Sequence, residues 1–310
     1  MADLPQQGPD AEVQRLPASP LPFATTPPIG SAEEARRHTC LARVIESEVI
    51  PRLVLARRTE DGRAGPVATG GAPPSVEEAM ALAGLVVDHD LPEALAFVER
   101  VRERGVSVES VYLDLLAPAA RELGRQWEDD RRTFSEVTVG LWRLHQLLYE
   151  LSPIFQRDAV APSSDLRALL VTAPGEQHSF GLAMTAEFFR RAGWLVSGGP
   201  LLSGEDLPTL VHREWFAIVG ISAGSGARLD SVARAIHEIR RASRNRALGI
   251  LVGGVAFGGH PERVALVGAD GCADDARRAP LQARALLDLL VRRDRGSSTG
   301  LRGRAPAAPP

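Results

Sequence analysis

Cysteine is almost absent: Cys40 and Cys272 are the only two in 310 residues. They stand far apart and in no metal-ligand spacing. That excludes a disulfide framework and a thiolate metal centre, and predicts two reduced thiols in a cytoplasmic protein. A strong excess of one charge is missing too. The formal net charge of −3 argues against a dedicated nucleic-acid binder, while leaving room for a local basic patch. No run approaches the ~18 uncharged apolar residues of a membrane span. The start carries Asp3, Asp10 and several prolines in place of a basic stretch and an apolar core, so neither a secretion signal nor a membrane partner is expected. What is present is ordinary globular material, 44% apolar and 24% charged, with length enough for two modest domains.

Residues 1–30 are rich in Pro, Gln and Ala and read as a disordered tail. A helical arm is predicted over 31–60. Ser31 and Glu34 can form a capping box, and Leu41, Val44, Ile45 and Val49 recur at helical spacing up to Pro51. A Gly/Pro/Ala stretch over 61–74 reads as a flexible linker. Residues 75–153 look all-helical, with units from Ser75, over Leu91 to Arg104, Ser107 to Trp127 and Phe134 to Leu151. Four helices on short turns predict a small antiparallel bundle.

The period then changes. Apolar runs of strand length at Leu166–Thr172, Trp194–Ser197, Phe216–Ser222, Leu248–Val252 and Asp270–Ala273 alternate with helical patterns such as Phe180–Ala192 and Arg228–Arg241. This predicts an α/β domain over 165–292 with five parallel strands in flavodoxin-like order, covered by helices on both faces. Residues 293–310 read as a disordered tail. The fold class is thus α plus α/β, a four-helix bundle followed by a Rossmann-type domain.

Ligands of such a sheet sit beyond the carboxyl ends of its strands. Three strand ends carry distinctive residues. The first is followed by Pro174-Gly-Glu-Gln-His-Ser-Phe-Gly181, which puts His178 just before a helix. Glu176 can accept a hydrogen bond from the ring nitrogen turned away from a metal, fixing the tautomer and raising the basicity of the other nitrogen. Gly181 lets a bulky group approach. The third run ends in Ser222-Ala-Gly224, and the fourth in Gly253-Gly254. Each alone reads equally well as a tight turn, but all three open at one edge.

The order Glu176-x-His178-x-x-Gly181, Ser222-Ala-Gly224, Gly253-Gly254 resembles the pattern Asp-x-His-x-x-Gly, Ser-x-Leu, Gly-Gly of cobalamin-binding domains. These occur in methionine synthase, corrinoid methyl-carrier proteins and light-sensing B12 regulators. The resemblance implies that His178 replaces the cofactor's own base on cobalt. It also implies that the released nucleotide tail threads between the serine and glycine loops. Glu for Asp at 176 lengthens the arm that would hold the imidazole, and Gly for Leu at 224 is expected to loosen the tail pocket.

The segment from Leu115 through Trp127 to His145 resembles the helical cap of the same proteins, in which an aromatic side chain covers the upper face of the corrin. Trp127 takes that place by resemblance; as a residue it reads equally well as a core tryptophan between helices. B12 photoreceptors of the CarH and LitR type carry Glu-His shortly after that tryptophan, where Val137-Thr138 stand here. The series Asp130, Thr133-Phe134, Val137-Thr138, Gly140 and Arg143-Leu144 resembles instead the PpaA/AerR group of photosynthesis regulators of purple bacteria. Leu41-Ala-Arg-Val-Ile-Glu-Ser-Glu-Val-Ile-Pro-Arg-Leu fits the same group.

That group implies a non-enzymatic antirepressor. It would bind a CrtJ/PpsR-type repressor of photosynthesis genes and alter its DNA binding in response to light or redox state. The implied cofactor is cobalamin in its adenosyl- or hydroxo-form. Haem is the alternative, since imidazole suits both metals. His145, one turn after Trp142, is an upper-ligand candidate or else a polar residue on the outer face of its helix. Light would open the upper coordination site and shift the bundle against the α/β domain. A corrinoid methyl carrier shares the two-domain plan, but the 31–60 arm and Glu176 favour the regulator. Direct DNA contact is secondary. Arg240-Arg-Ala-Ser-Arg-Asn-Arg246 reads as a solvated basic face, and no recognition helix is evident.

Overall fold

Ser75 and Thr133 each start a helix by reciprocal capping. The Ser75 hydroxyl accepts the Glu78 N–H and the Glu78 carboxylate takes the Ser75 N–H; Thr133 and Glu136 repeat the arrangement. In a computed structural model, which describes residues 71–199, 207–273 and 275–299, these caps open α1 (Val76–Asp88) and α4 (Phe134–Phe155). Asp90 caps α2, Leu91–Glu103. Ser107 caps a third rod, α3, made of Val108–Ser110, a π-helical stretch Val111–Leu116 and Ala117–Glu128. The expectations for residues 1–30, 31–60 and 61–70 lie outside the described residues.

The four helices bury Leu82, Leu115, Leu116, Leu123, Leu144 and Leu148 between them. Gly140 marks a close crossing: a Cβ there would stand 3.0 Å from both Leu123 and Val87. Arg132 ties the α3–α4 turn to the end of α1 through two hydrogen bonds to Asp88, at 2.8 and 2.6 Å. The far end of the linker predicted over 61–74 is held as well. Gly71 N–H donates to Gly105 O at 3.0 Å, and Pro74 is buried.

Five strands follow: β1 (Ser163–Thr172), β2 (Trp194–Gly198), β3 (Ile218–Ser222), β4 (Gly249–Gly253) and β5 (Gly271–Ala273). All pairs are parallel and the order is β2-β1-β3-β4-β5, the flavodoxin-like arrangement read from the alternating pattern. Helices α5 (Phe180–Arg191) and α9 (Ala279–Thr299) cover one face, packing Leu182, Phe189, Ala283 and Leu286 on Leu170, Ile218 and Leu251. The other face carries α6 (Leu207–Arg213), α7 (Leu229–Ala242) and α8 (Pro261–Leu266). There Val211, Ile236 and Val264 meet Val219, Ile221 and Val252.

Helix α9 corrects one expectation. The disordered tail predicted over 293–310 is not found over 293–299, where the helical backbone continues to Thr299, and residues 300–310 lie outside the described residues. Arg and Ser in that stretch have adequate helix propensity once a packed helix precedes them. Among the described residues, no helix is long and apolar enough to cross a membrane.

One element belongs to both halves. Phe180, Ala183, Met184 and Phe188 of α5 join the bundle core, while Leu182, Ala186 and Phe189 on its other side join the sheet core. Phe188 lies edge-on to Phe155 at 5.0 Å and to Tyr112 at 6.4 Å. Beside it, the buried Glu187 carboxylate accepts from Ser152 Oγ at 2.6 Å, Gln156 Nε2 at 2.9 Å and Arg190 at 2.7 Å. The helix that begins just after His178 is therefore also the seam between bundle and sheet.

Candidate functional site at the strand ends

Parallel register brings the strand ends level. Thr172 pairs with Ser222, Ser222 with Gly253, and Gly253 with Ala273. The loops after β1, β3 and β4 consequently leave the sheet along one edge, so His178, Ser222 and Gly253 share it.

Inside the β1 loop, Glu176 is the organising group. Its side chain is only 3% exposed. Oε1 accepts the N–H groups of Gln177 at 2.9 Å and His178 at 3.1 Å, and Oε2 accepts the Gly224 N–H at 2.9 Å. Burial works to raise the carboxyl's pKa, but the backbone hydrogen bonds from Gly224 and His178, with the His178 ring, outweigh it and bring it down to about 2. It is a carboxylate at neutral pH.

His178 Nδ1 lies 2.5 Å from Glu176 Oε1. Facing a carboxylate, Nδ1 carries the proton, which leaves the lone pair on Nε2. The His178 side chain is 73% exposed, so that lone pair is accessible. A ring with one nitrogen anchored to a buried carboxylate and the other accessible is the donor arrangement of a metal-binding imidazole. Next to it, a Cβ at Gly181 would meet nothing within 4 Å, which leaves the helix start open to a bulky group.

The glycines have different causes. A Cβ at 224 would sit 3.2 Å from both Glu176 Oε2 and His178 Nδ1. The longer carboxylate thus takes the space freed by the missing side chain. Gly254 has φ +91, and a Cβ there would stand 2.4 Å from Ala223 O. A Cβ at Gly253 would stand 3.0 Å from Ala273 O of the neighbouring β5. Gly254 lets the β4 loop lie directly on the β3 loop, an arrangement fixed by Ala256 N–H donating to Ala223 O at 3.1 Å. Val255, just beyond, is 75% exposed, an apolar group presented at the same edge.

On the bundle, Trp127 is 47% exposed and lies edge-on to Phe134, ring centroids 6.4 Å apart. The core-tryptophan reading is overturned: α3 ends at Glu128, and the turn carries Trp127 out of the interior. His145 is not on the outer face of its helix either. Its ring packs edge-on against Phe180 at 5.0 Å, two residues after His178 in the chain. Nδ1 bonds Leu141 O at 2.9 Å, and Nε2 is buried with no hydrogen-bond partner. Of the remaining histidines, His89, His212 and His237 are exposed, and His260 pairs with Glu262 at 3.0 Å. Arg228, which bridges the β1 loop to Glu176, carried no signal in the sequence.

Comparison with known proteins agrees with this geometry. A family model described as B12 binding domain matches residues 166–281, and a second B12 binding domain model matches 79–151. The chain is 31% identical over 174 residues to a 20.5 kDa protein of the bchF-crtJ intergenic region in Rhodobacter capsulatus, spanning 56% of this chain and 89% of that one. Among solved structures, the Methanosarcina barkeri monomethylamine corrinoid protein superposes with a TM-score of 0.56 at 13% identity, covering 69% of this chain and 100% of that protein. That likeness is one of fold, in both the helical and the α/β part. The chain belongs to the B12-binding domain family, as a member of the PpaA/AerR type.

Proposed function

We propose that this chain is a cobalamin-binding regulator that responds to light or redox state. It acts as an antirepressor on a CrtJ/PpsR-type repressor of photosynthesis genes, in the cytoplasm and without enzymatic turnover. The observation that carries the cofactor assignment is the Glu176–His178 pair, with its buried carboxylate, anchored Nδ1 and accessible Nε2. The open start of α5 at Gly181 fits a flat, bulky group, as do the half-exposed Trp127 and the unpartnered Nε2 of His145. His178 would ligate the cobalt, the Ser222 to Gly224 and Gly253-Gly254 loops would hold the nucleotide tail, and Trp127 would cover the corrin. His145 is the bundle's candidate for the upper position. Bound cobalamin would supply a light-labile cobalt centre.

The protein's own part is to couple that site to a surface. His145 and His178 both lie close to Phe180, and α5 is packed into both cores. A change at either ring is therefore felt first along α5, not as a free rocking of the bundle. The regulatory assignment is supported by the Rhodobacter capsulatus relative, which is encoded beside crtJ. Direct DNA contact stays secondary, because Arg240 in the basic cluster is already engaged by Asp270 at 2.8 Å.

Absorption spectra of the full chain loaded in parallel with hydroxocobalamin, adenosylcobalamin and haemin test the cofactor. A corrin spectrum is expected, and a Soret band with no corrin uptake would transfer the site to haem. Gel-shift titration of the repressor on its promoter, with the chain added in darkness and in light, tests the regulatory step. Transfer of a methyl group to an acceptor, with no effect on the repressor, would make the chain a carrier.

A further inference from the structure

The loop that carries His178 is bridged from its other side by Arg228. This residue ends a short 3-10 turn, Gly226–Arg228, and precedes α7. Its Nη1 donates to Pro174 O at 3.3 Å, and its Nε lies 3.6 Å from Glu176 Oε2. Gly175 is shaped to this contact. Its φ is +74, a conformation that favours glycine, and a Cβ there would stand 2.8 Å from Arg228 Nη1 and displace the guanidinium from its place over the turn.

We infer that Arg228 is a positioning residue for the axial imidazole, joining the first turn after β1 to the carboxylate that fixes His178 Nδ1. This rests on the reading of His178 as the lower ligand. The chain of contacts runs Pro174, Arg228, Glu176, His178, with Gly224 held to the same carboxylate. It crosses between the β1 and β3 loops, so the two loops and the ring form one unit before any cofactor arrives. An exposed imidazole on an unbraced loop would lose rotational freedom on binding, and bracing removes that cost in advance. Arginine suits the task because its planar fork reaches two acceptors at once, whereas lysine offers a point charge.

The test uses the full chain with Arg228→Met and Arg228→Lys. Three quantities are measured: the urea midpoint without cofactor, amide hydrogen exchange at His178 and Gly224 without cofactor, and hydroxocobalamin affinity by spectral titration. Arg228→Met is expected to keep the midpoint of the wild type, speed exchange at both amides and weaken hydroxocobalamin about tenfold. Arg228→Lys should recover part of each change. Unchanged exchange with unchanged affinity overturns the inference. Should Arg228→Met not fold, Arg228→Lys decides alone: faster exchange and weaker binding support the bracing role, and wild-type values refute it. His178→Ala, run alongside, separates the two claims. Full hydroxocobalamin affinity in that variant removes the axial-ligand reading itself. Loss of affinity there, with Arg228→Met binding as wild type, removes only the role of Arg228.

Discussion

Glu176 Oε2 accepts the Gly224 N–H at 2.9 Å, in the space that a side chain at residue 224 would need. The two positions at which this chain departs from the usual cobalamin pattern are thus one adjustment. A carboxylate longer by one methylene reaches across to the β3 loop, and the β3 loop gives up its side chain to receive it.

The compensation predicts non-additivity. Gly224→Leu should push Glu176 and His178 apart and weaken hydroxocobalamin binding, and Glu176→Asp should weaken it by losing the Gly224 contact. Combining them restores the ordinary Asp and Leu pairing, so the double variant should bind better than the sum of the single losses. A coupling energy on the order of 1 kcal/mol is expected for side chains in direct contact. Spectral titration of the four proteins measures it, and strict additivity would show the residues to be independent.

Removing the imidazole is a simpler case. His178→Ala should abolish stable cofactor retention through gel filtration, because it removes the Nε2 donor. Glu176→Gln keeps the ring but exchanges a carboxylate for an amide, and should weaken binding by roughly 10–100-fold.

His145 behaves differently in the cofactor-free protein. Its Nε2 is buried with no partner while Nδ1 is engaged by Leu141 O, and a buried unsatisfied acceptor costs about 1–3 kcal/mol. His145→Phe replaces it with an apolar ring against Phe180, and should raise the urea midpoint of the cofactor-free chain. A wild-type or lower midpoint would mean that the nitrogen is satisfied by water. In the loaded chain the same variant should alter the spectrum reached after illumination if His145 supplies the upper ligand.

The seam gives a stability prediction. Glu187→Ala removes the buried acceptor shared by Ser152, Gln156 and Arg190, leaves the Ser152 hydroxyl without it, and should cost ~1–3 kcal/mol. Phe188→Ala opens a cavity where Tyr112, Phe155 and α5 meet and should cost ~3–5 kcal/mol. Because α5 is shared by both cores, urea unfolding should remain a single transition in the wild type. Two separated transitions in Phe188→Ala, by near- and far-ultraviolet circular dichroism, would show that the seam supplies the cooperativity.

Most of this architecture was legible because it depends on local rules. Ser75 with Glu78 announces α1, and the shift from helical spacing to short apolar runs near Leu166 announces the sheet. Helices α6 and α8 went unseen because they are too short to show a period. At the site, His178, Ser222 and Gly253 were readable from their place after apolar runs. The bracing by Arg228 was not, since it comes from a loop far along the chain and from no motif. His145 shows the other limit: a helix of known extent can still turn either face inward, and only packing against Phe180 decides. Trp127 was ambiguous for the same reason, until the end of α3 at Glu128 settled its exposure.

The turn that presents Trp127 and Phe134 should be acid-sensitive. Glu136 is held at about 2, against an ordinary value of 4.5, first by the Thr133 N–H, then by its hydroxyl and by Arg132. Asp88 is held below its ordinary value chiefly by the hydrogen bonds from Arg132. A carboxyl depressed in the folded state contributes stability that is fully present above its unfolded value and is lost as pH falls through its folded one. The Glu136 contribution is therefore complete above about pH 4.5 and disappears as pH falls toward 2. Glu136→Gln keeps an acceptor for the Thr133 cap but no longer titrates. The urea midpoint of the wild type should accordingly fall further than that of Glu136→Gln between about pH 5 and about pH 3. Equal falls in the two proteins would place the acid-sensitive groups elsewhere, with Glu176 the next to be examined, since its folded value is likewise about 2.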